Sequence, residues 1–179
     1  NNLNQFISNS NKSQITKSYY NISFPDVNHK FENGMQVNLR GRMSAQTVDY
    51  DGNGIYEYGT FYSYDILGNI NELVYHNNDL GPNVSNDHAF KKITYEFDLL
   101  SGRINKFQYQ DGEIDALYYH YIYDQENKIT DVLTSTNKVI WKSDVRYFYY
   151  DHGLLARIEL GDQNIQGLDY AYNLNGWIK

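Results

Sequence analysis

Residues 49–54 read DYDGNG, which places side-chain oxygens at the first, third and fifth positions and a glycine at the sixth. An EF-hand calcium loop begins the same way, because a hard cation gathers carboxylate and amide oxygens around a sharp glycine turn. Position twelve, where a bidentate glutamate completes such a cage, is Thr60, and the flanks carry no helical pattern. The stretch is therefore either a calcium loop or a solvated hairpin turn, and the turn is preferred. His29, His76, His88, His120 and His152 are scattered without a pair at metal-ligand spacing. No G-x-S-x-G elbow, phosphate loop, dinucleotide fingerprint or H-E-x-x-H occurs. Two carboxylates could still hydrolyse a glycoside if folding brought them together. The sequence assigns no catalytic, cofactor-binding or metal residue.

The acidic residues that recur do so for another reason. YSYDILGNI, YEFDLLSGRI, YIYDQENKI, FYYDHGLLARI and YAYNLNGWI share an aromatic pair, an Asp or Asn, and then Gly or Asn before an aliphatic. The pairs are Tyr62 and Tyr64, Tyr95 and Phe97, Tyr121 and Tyr123, Tyr149 and Tyr150, and Tyr170 and Tyr172. The anchors are Asp65, Asp98, Asp124, Asp151 and Asn173, at intervals of 33, 26, 27 and 22 residues. Behind them come Gly68, Gly102, Asn127, Gly153 and Gly176, with Gly153 one residue early.

An anchor carboxylate can accept from a backbone N–H just ahead of it, and Gly or Asn tolerates the positive φ that closes a hairpin. Two aliphatic or aromatic residues then follow three apart: Ile70 and Leu73, Ile104 and Phe107, Ile129 and Val132, Leu155 and Ile158. Spacing of three suits a helix, but short β-branched segments behind Asp and Gly favour a strand whose phase slips once at a bulge. Second turns are expected at Asp111-Gly112, at Thr136-Asn137 before KVIW, and at Asp162 to Asn164. The expected fold is all-β, an antiparallel meander of hairpins.

Composition agrees. Nineteen Tyr and eight Phe stand against two Pro and two Met, a bias towards a pleated, half-buried surface. A Tyr-rich sheet can carry apolar rings with wet hydroxyls, and the same rings could stack on sugars. A net charge of −7 without a basic cluster argues against nucleic acid. The chain has no cysteine, no apolar run of membrane-spanning length and no signal peptide at its start. Because it starts at Asn and stops at Lys179 inside a motif, a piece of a longer chain is expected.

These motifs resemble the YD-repeat, or RHS-repeat, family, over about Leu39 to Lys179. The run YFYYDHGLLARIELGDQNIQGLDYAYNLNGWIK is similar to a form found in bacterial RHS proteins upstream of their core segment. Irregular spacing, and Asn127 where Gly is usual, depart from the family pattern. The resemblance implies a curved sheet that is one segment of a hollow β-shell, secreted or at the cell surface. It also implies that such a shell encloses a C-terminal effector or toxin, and that its partners are the rest of the same polypeptide. No cofactor and no enzyme activity are expected.

Three regions follow: residues 1–14 as a polar lead-in, disordered or loop; 15–60 as irregular strands joining the sheet; and 61–179 as the hairpin array. Asn33 to Met43 is expected to contain a return strand, Thr47 to Tyr64 another strand and turn, and His76 to His88 a surface loop. The alternative function is a carbohydrate-binding or adhesion module using exposed Tyr rows. Unpaired edge strands would also let the isolated chain dimerise edge to edge.

Overall fold

The computed structural model describes residues 13–80 and 89–179. Its strands are β1 (Ile15–Tyr20), β2 (Met43–Asp49), β3 (Tyr58–Tyr64), β4 (Ile70–Asn77), β5 (Phe90–Phe97) and β6 (Ile104–Tyr109). They continue with β7 (Leu117–Tyr123), β8 (Ile129–Ser135), β9 (Lys142–Tyr149), β10 (Leu155–Leu160) and β11 (Gln166–Asp169). Short 3-10 helices at Pro25–Lys30 and Asn78–Leu80 are the only helical elements among the described residues. The fold is an all-β antiparallel meander in which hydrogen-bonded order follows chain order from β1 to β11. The chain divides into two compact units, residues 1–93 and 94–179.

In the first unit the burial of β3 alternates, as period-two geometry requires. Phe61, with its cross-strand partners Ala45 and Val74, faces a second layer built by residues 22–42. That segment carries Val27 and Phe31 into the same core, against which Tyr19, Phe24, Tyr56 and Phe90 pack. Polar stitches hold it down. The buried Gln36 amide donates to the carbonyls of Ser44 (2.6 Å) and Tyr62 (2.8 Å) and accepts from the N–H of Phe24 (2.9 Å). The buried Glu72 carboxylate accepts from the N–H of Glu32 at 3.0 Å and pairs with the Lys92 ammonium. Tyr62 and its partner Leu73 lie on the opposite face of the sheet.

In the second unit the register sorts side chains cleanly by face. Phe107 stands across from Tyr119, Tyr121 across from Val132, Val132 across from Val145, and Tyr147 across from Ile158. Tyr119 and Tyr121, like Val145 and Tyr147, are two apart, so all of these share one face. The other face is mixed: Lys106 lies across from His120, Asp131 from Arg146, Arg146 from Glu159, and Arg157 from Asp169, while Tyr118, Ile122, Leu133 and Phe148 stand among them.

Several local expectations are corrected. Residues 33–42 form no return strand; β2 begins only at Met43. KVIW is a loop and β9 starts at Lys142, because Asn137 Oδ1 accepts from the N–H groups of Val139 (3.0 Å) and Ile140 (2.9 Å). That cap turns both aliphatic side chains outward, leaving them 80% and 64% exposed. The loop expected from His76 is shortened, since His76 and Asn77 complete β4. Residues 81–88, and residues 1–12 of the expected lead-in, lie outside the described residues.

Phe61 is fully buried and touches both layers of the first unit, with Phe24 at 5.3 Å and Tyr56 at 6.0 Å between ring centroids. Replacing it with alanine is expected to cost about 3–5 kcal/mol. Urea unfolding of the variant, followed by circular dichroism, measures that loss.

Candidate functional site

The recurring anchors build a series of chain reversals with one backbone geometry. Each anchor N–H donates to a carbonyl four or five residues on: Asp65 to Asn69 (2.9 Å), Asp98 to Arg103 (2.7 Å), Asp124 to Lys128 (2.9 Å) and Asn173 to Trp177 (2.9 Å). A returning bond reaches each anchor carbonyl from the N–H of Gly68 (3.2 Å), Gly102 (2.8 Å), Asn127 (3.1 Å) and Gly176 (2.9 Å). Asn127 sits at φ 74°, in the left-handed region that Gly otherwise fills and Asn tolerates best among the rest. Tyr172, just before the last anchor, bridges Ile178, and Tyr170 donates its N–H to Ala156.

In the fourth reversal the anchor position belongs to Tyr150, not Asp151. The Tyr150 N–H donates to Leu154 (2.8 Å) and its carbonyl accepts from Gly153 (2.7 Å). The preceding strand pairs Tyr147 with Ile158 and Tyr149 with Leu155. Asp151 lies one residue past the anchor, which removes the apparent early placement of Gly153. The backbone bonds ask nothing of the anchor side chain, so Tyr150 can use its hydroxyl elsewhere, on the carbonyl of Tyr170 at 2.8 Å. A further reversal went unrecognised in the sequence. The Asn21 N–H donates to Arg42 (3.2 Å), and residues 22–42 replace the usual short turn.

Where the anchor is acidic, its carboxylate caps the turn. Asp65 Oδ1 accepts from the N–H groups of Gly68 (2.7 Å) and Asn69 (2.9 Å), and Oδ2 from the Asn69 amide (2.9 Å). Asp98 Oδ1 accepts from Leu100, Ser101 and the Ser101 hydroxyl, and Asp124 Oδ1 from Lys128. Partial burial pushes Asp65 up, but its bonds to Asn69, Gly68 and Leu67 together outweigh this and leave it below the ordinary carboxylate value. The Ser101 bonds lower Asp98 in the same direction. Each of these carboxylates serves the turn it begins.

Behind the turn comes one unpaired residue. Tyr64 pairs with Ile70 and Ser63 with Glu72, so Asn71 is extra. Thr130 is skipped between β7 and β8, Ala156 between β9 and β10, and Ser44 between β1 and β2. This bulge brings aliphatics three apart onto one face: Ile70 and Leu73 pair with Tyr64 and Tyr62, and Ile129 and Val132 with Tyr123 and Tyr121.

Consecutive hairpins are then fastened by a contact that sequence reasoning missed. Tyr64, Tyr123 and Tyr149 donate their hydroxyls to the carbonyls of Met43 (2.7 Å), Ile104 (2.9 Å) and Ile129 (2.8 Å). Each carbonyl belongs to the first residue of the preceding return strand. The residue before it is a cation that sits over the same ring: Arg42 at 5.3 Å, Arg103 at 4.8 Å and Lys128 at 5.3 Å. The signal available was a basic residue ahead of the aliphatic, as in GRM, GRI and NKI.

The DYDGNG stretch forms the turn between β2 and β3. Asp49, Asp51 and Glu57 each offer a carboxylate oxygen, all within 4.8 Å of one another, and so could hold a cation. Their oxygens already serve the loop: Asp49 accepts from Gly52 (2.7 Å) and Gly54 (2.9 Å), Asp51 from Asn53, and Glu57 from Tyr50. Thr60 lies within β3, away from any twelfth-ligand role. Among the histidines, His76 stacks on Phe90 at 4.2 Å and meets Tyr56 at 5.5 Å, while His29 meets the same Phe90 ring edge-on at 6.0 Å. His120 packs on Trp141 and His152 on Tyr150.

Burial is the first cause raising Tyr62, Tyr64, Tyr121 and Tyr149, and of these Tyr64 and Tyr149 use the protonated hydroxyl as a donor. No protein-family model matches the chain, and no curated protein matches it.

Two outcomes follow from this geometry. Tyr123→Phe is expected to lose about 1 kcal/mol with its hydrogen bond, and Arg103→Met about 0.5–1 kcal/mol with its ring contact. The two should add, because Phe keeps the ring; urea titration of both single variants and the double variant measures this. Burial alone pushes His76 below its ordinary 6.5, so the folded chain takes up that proton less readily than the unfolded chain. Stability is then full above pH 6.5 and falls as pH drops through that value. Unfolding free energies at pH 7.5 and 5.5 should show this fall, and His76→Phe should reduce it.

Proposed function

We propose that this chain is a structural segment of a YD-repeat shell, which encloses a C-terminal effector or toxin of a larger secreted bacterial protein and performs no catalysis itself. One observation carries the reading: the turn, the bulge and the tyrosine fastening recur from hairpin to hairpin, on the residues that resemble the YD motif. Repeated geometry of this kind serves extension of a wall, whereas a catalytic site needs different groups converging on one point. The direction of the pKa shifts agrees, since lowered Asp65 and Asp98 and raised tyrosines are poised neither as acids nor as bases at neutral pH. The partners are the flanking repeats and the enclosed segment of the same polypeptide.

A second reading, glycan binding at a cell surface, is favoured by the partly exposed rings of Tyr119 and Tyr121, nearly parallel at 6.3 Å. Sugar rings stack on such surfaces.

The enclosure reading is tested in the intact parent protein. Deleting residues 94–179 should open the C-terminal segment to added protease, while the unaltered protein keeps it protected. Equal protection in both would reject enclosure, and saturable retention on a glycan array would support the second reading in its place.

A further inference from the structure

Asparagine is followed by glycine three times, at Asn33-Gly34, Asn53-Gly54 and Asn175-Gly176. Such a pair is open to an internal reaction, because glycine has no Cβ to shield its nitrogen from the asparagine amide carbon in front of it. The glycine nitrogen gives up its proton and bonds to Cγ, the Cγ–Nδ2 bond breaks, and ammonia leaves with that proton. One water then opens the cyclic imide. Attack at Cγ yields aspartate, and attack at the backbone carbonyl carbon yields isoaspartate, whose main chain runs through the side-chain methylene.

The fold treats the pairs differently. At Asn53 both reacting groups are held: Oδ1 accepts from the N–H of Ile55 (2.7 Å), Nδ2 donates to Asp51 (2.8 Å), and the Gly54 N–H donates to Asp49 (2.9 Å). Asp49 is 2% exposed, and its carboxylate beside the nitrogen opposes loss of the proton that the reaction must remove. Asn33 is exposed, and its side chain makes no hydrogen bond among the described residues. Its reacting partner is held by a neutral turn bond, from the Gly34 N–H to the Phe31 carbonyl (2.9 Å), and charge-assisted bonds are roughly twice as strong as neutral ones. Asn175 is also exposed, with a similar turn bond from Gly176 to Asn173 (2.9 Å).

We propose that Asn33 is a modification site, converting spontaneously to isoaspartate and thereby loosening residues 22–42 from the sheet of the first unit, while Asn53 is protected. The stitches of that layer lie on both sides of Asn33. The Glu32 N–H donates to Glu72 (3.0 Å), and Gln36 bonds to Ser44, Tyr62 and Phe24. Isomerisation puts one more atom, about 1.5 Å of chain, between them, which is about half the length of a hydrogen bond. Both sets cannot keep their present geometry across the longer chain. The inference rests on neither reading of function.

Incubating the purified chain at about pH 8 and 37 °C and mapping its peptides by mass spectrometry tests the proposal. Asn33 should convert at least ten-fold faster than Asn53, and in concentrated urea, where the holding bonds are gone, the two rates should approach each other. In the converted chain, hydrogen exchange at the Phe24, Glu32 and Val37 amides, which donate to Gln36, Glu72 and Ser63, should quicken at least ten-fold. Asn33→Asp, which carries the new charge without the extra atom, should exchange like the fresh unaltered chain, and Asn33→Gln should resist conversion and loosening alike. Equal rates at Asn33 and Asn53 in the folded chain overturn the proposal. So does conversion of Asn33 that leaves exchange at those amides unchanged, or an Asn33→Asp chain that is already as loose as the converted one.

Discussion

One extra residue in each of four hairpins governs this molecule. A regular strand shows a given face only every second residue, so a sheet built without interruption would send the aliphatics at anchor-plus-five and anchor-plus-eight to opposite sides. The bulge at Ser44, Asn71, Thr130 and Ala156 absorbs the odd residue. Both aliphatics then reach the same face, opposite the tyrosines of the outgoing strand. The turn fixes where the extra residue falls, because the anchor's two backbone bonds leave little freedom in how many residues are spent before pairing resumes.

The fastening between hairpins depends on that register. A tyrosine hydroxyl can reach the first carbonyl of the preceding return strand only if the turn and bulge deliver both to the same end of the sheet. The cation then covers the ring whose hydroxyl is engaged, so one side chain makes two contacts of different physical origin. At the first of these junctions the hairpin turn has been replaced by residues 22–42, yet Arg42, Met43 and Tyr64 still meet. The junction therefore tolerates a large change in the turn itself, which is why an entire packing layer could be placed there.

Much of the fold was legible because turn chemistry is local. Asp, Gly and Asn at fixed offsets mark reversals, and the aliphatic pair three apart already implied a slipped phase. What escaped has physical causes. Asn21 and its acceptor Arg42 are far apart in sequence, so no short motif shows them as one turn. Asp151 drew attention by residue type, although the anchor's essential bonds come from backbone atoms that any residue owns. Val139 and Ile140 have strand propensity, but the Asn137 cap decides their conformation at close range. The basic residues of the fastening were visible as letters, and their meaning required a ring from the next hairpin, which only tertiary structure supplies. In the candidate cation loop the first two acidic positions were legible in the DYDGNG motif, while Glu57 joins them through the return of the chain into β3.

The junction between neighbouring hairpins draws on a carbonyl that every residue has, plus a single ring and a single positive side chain. Such a joint is generic, with little in it that distinguishes one repeat from the next. Genes encoding chains of this kind can therefore lengthen or shorten by duplication or loss of whole motifs without redesigning the seams, and a decorated turn can be acquired at any one of them while its neighbours stay as they were.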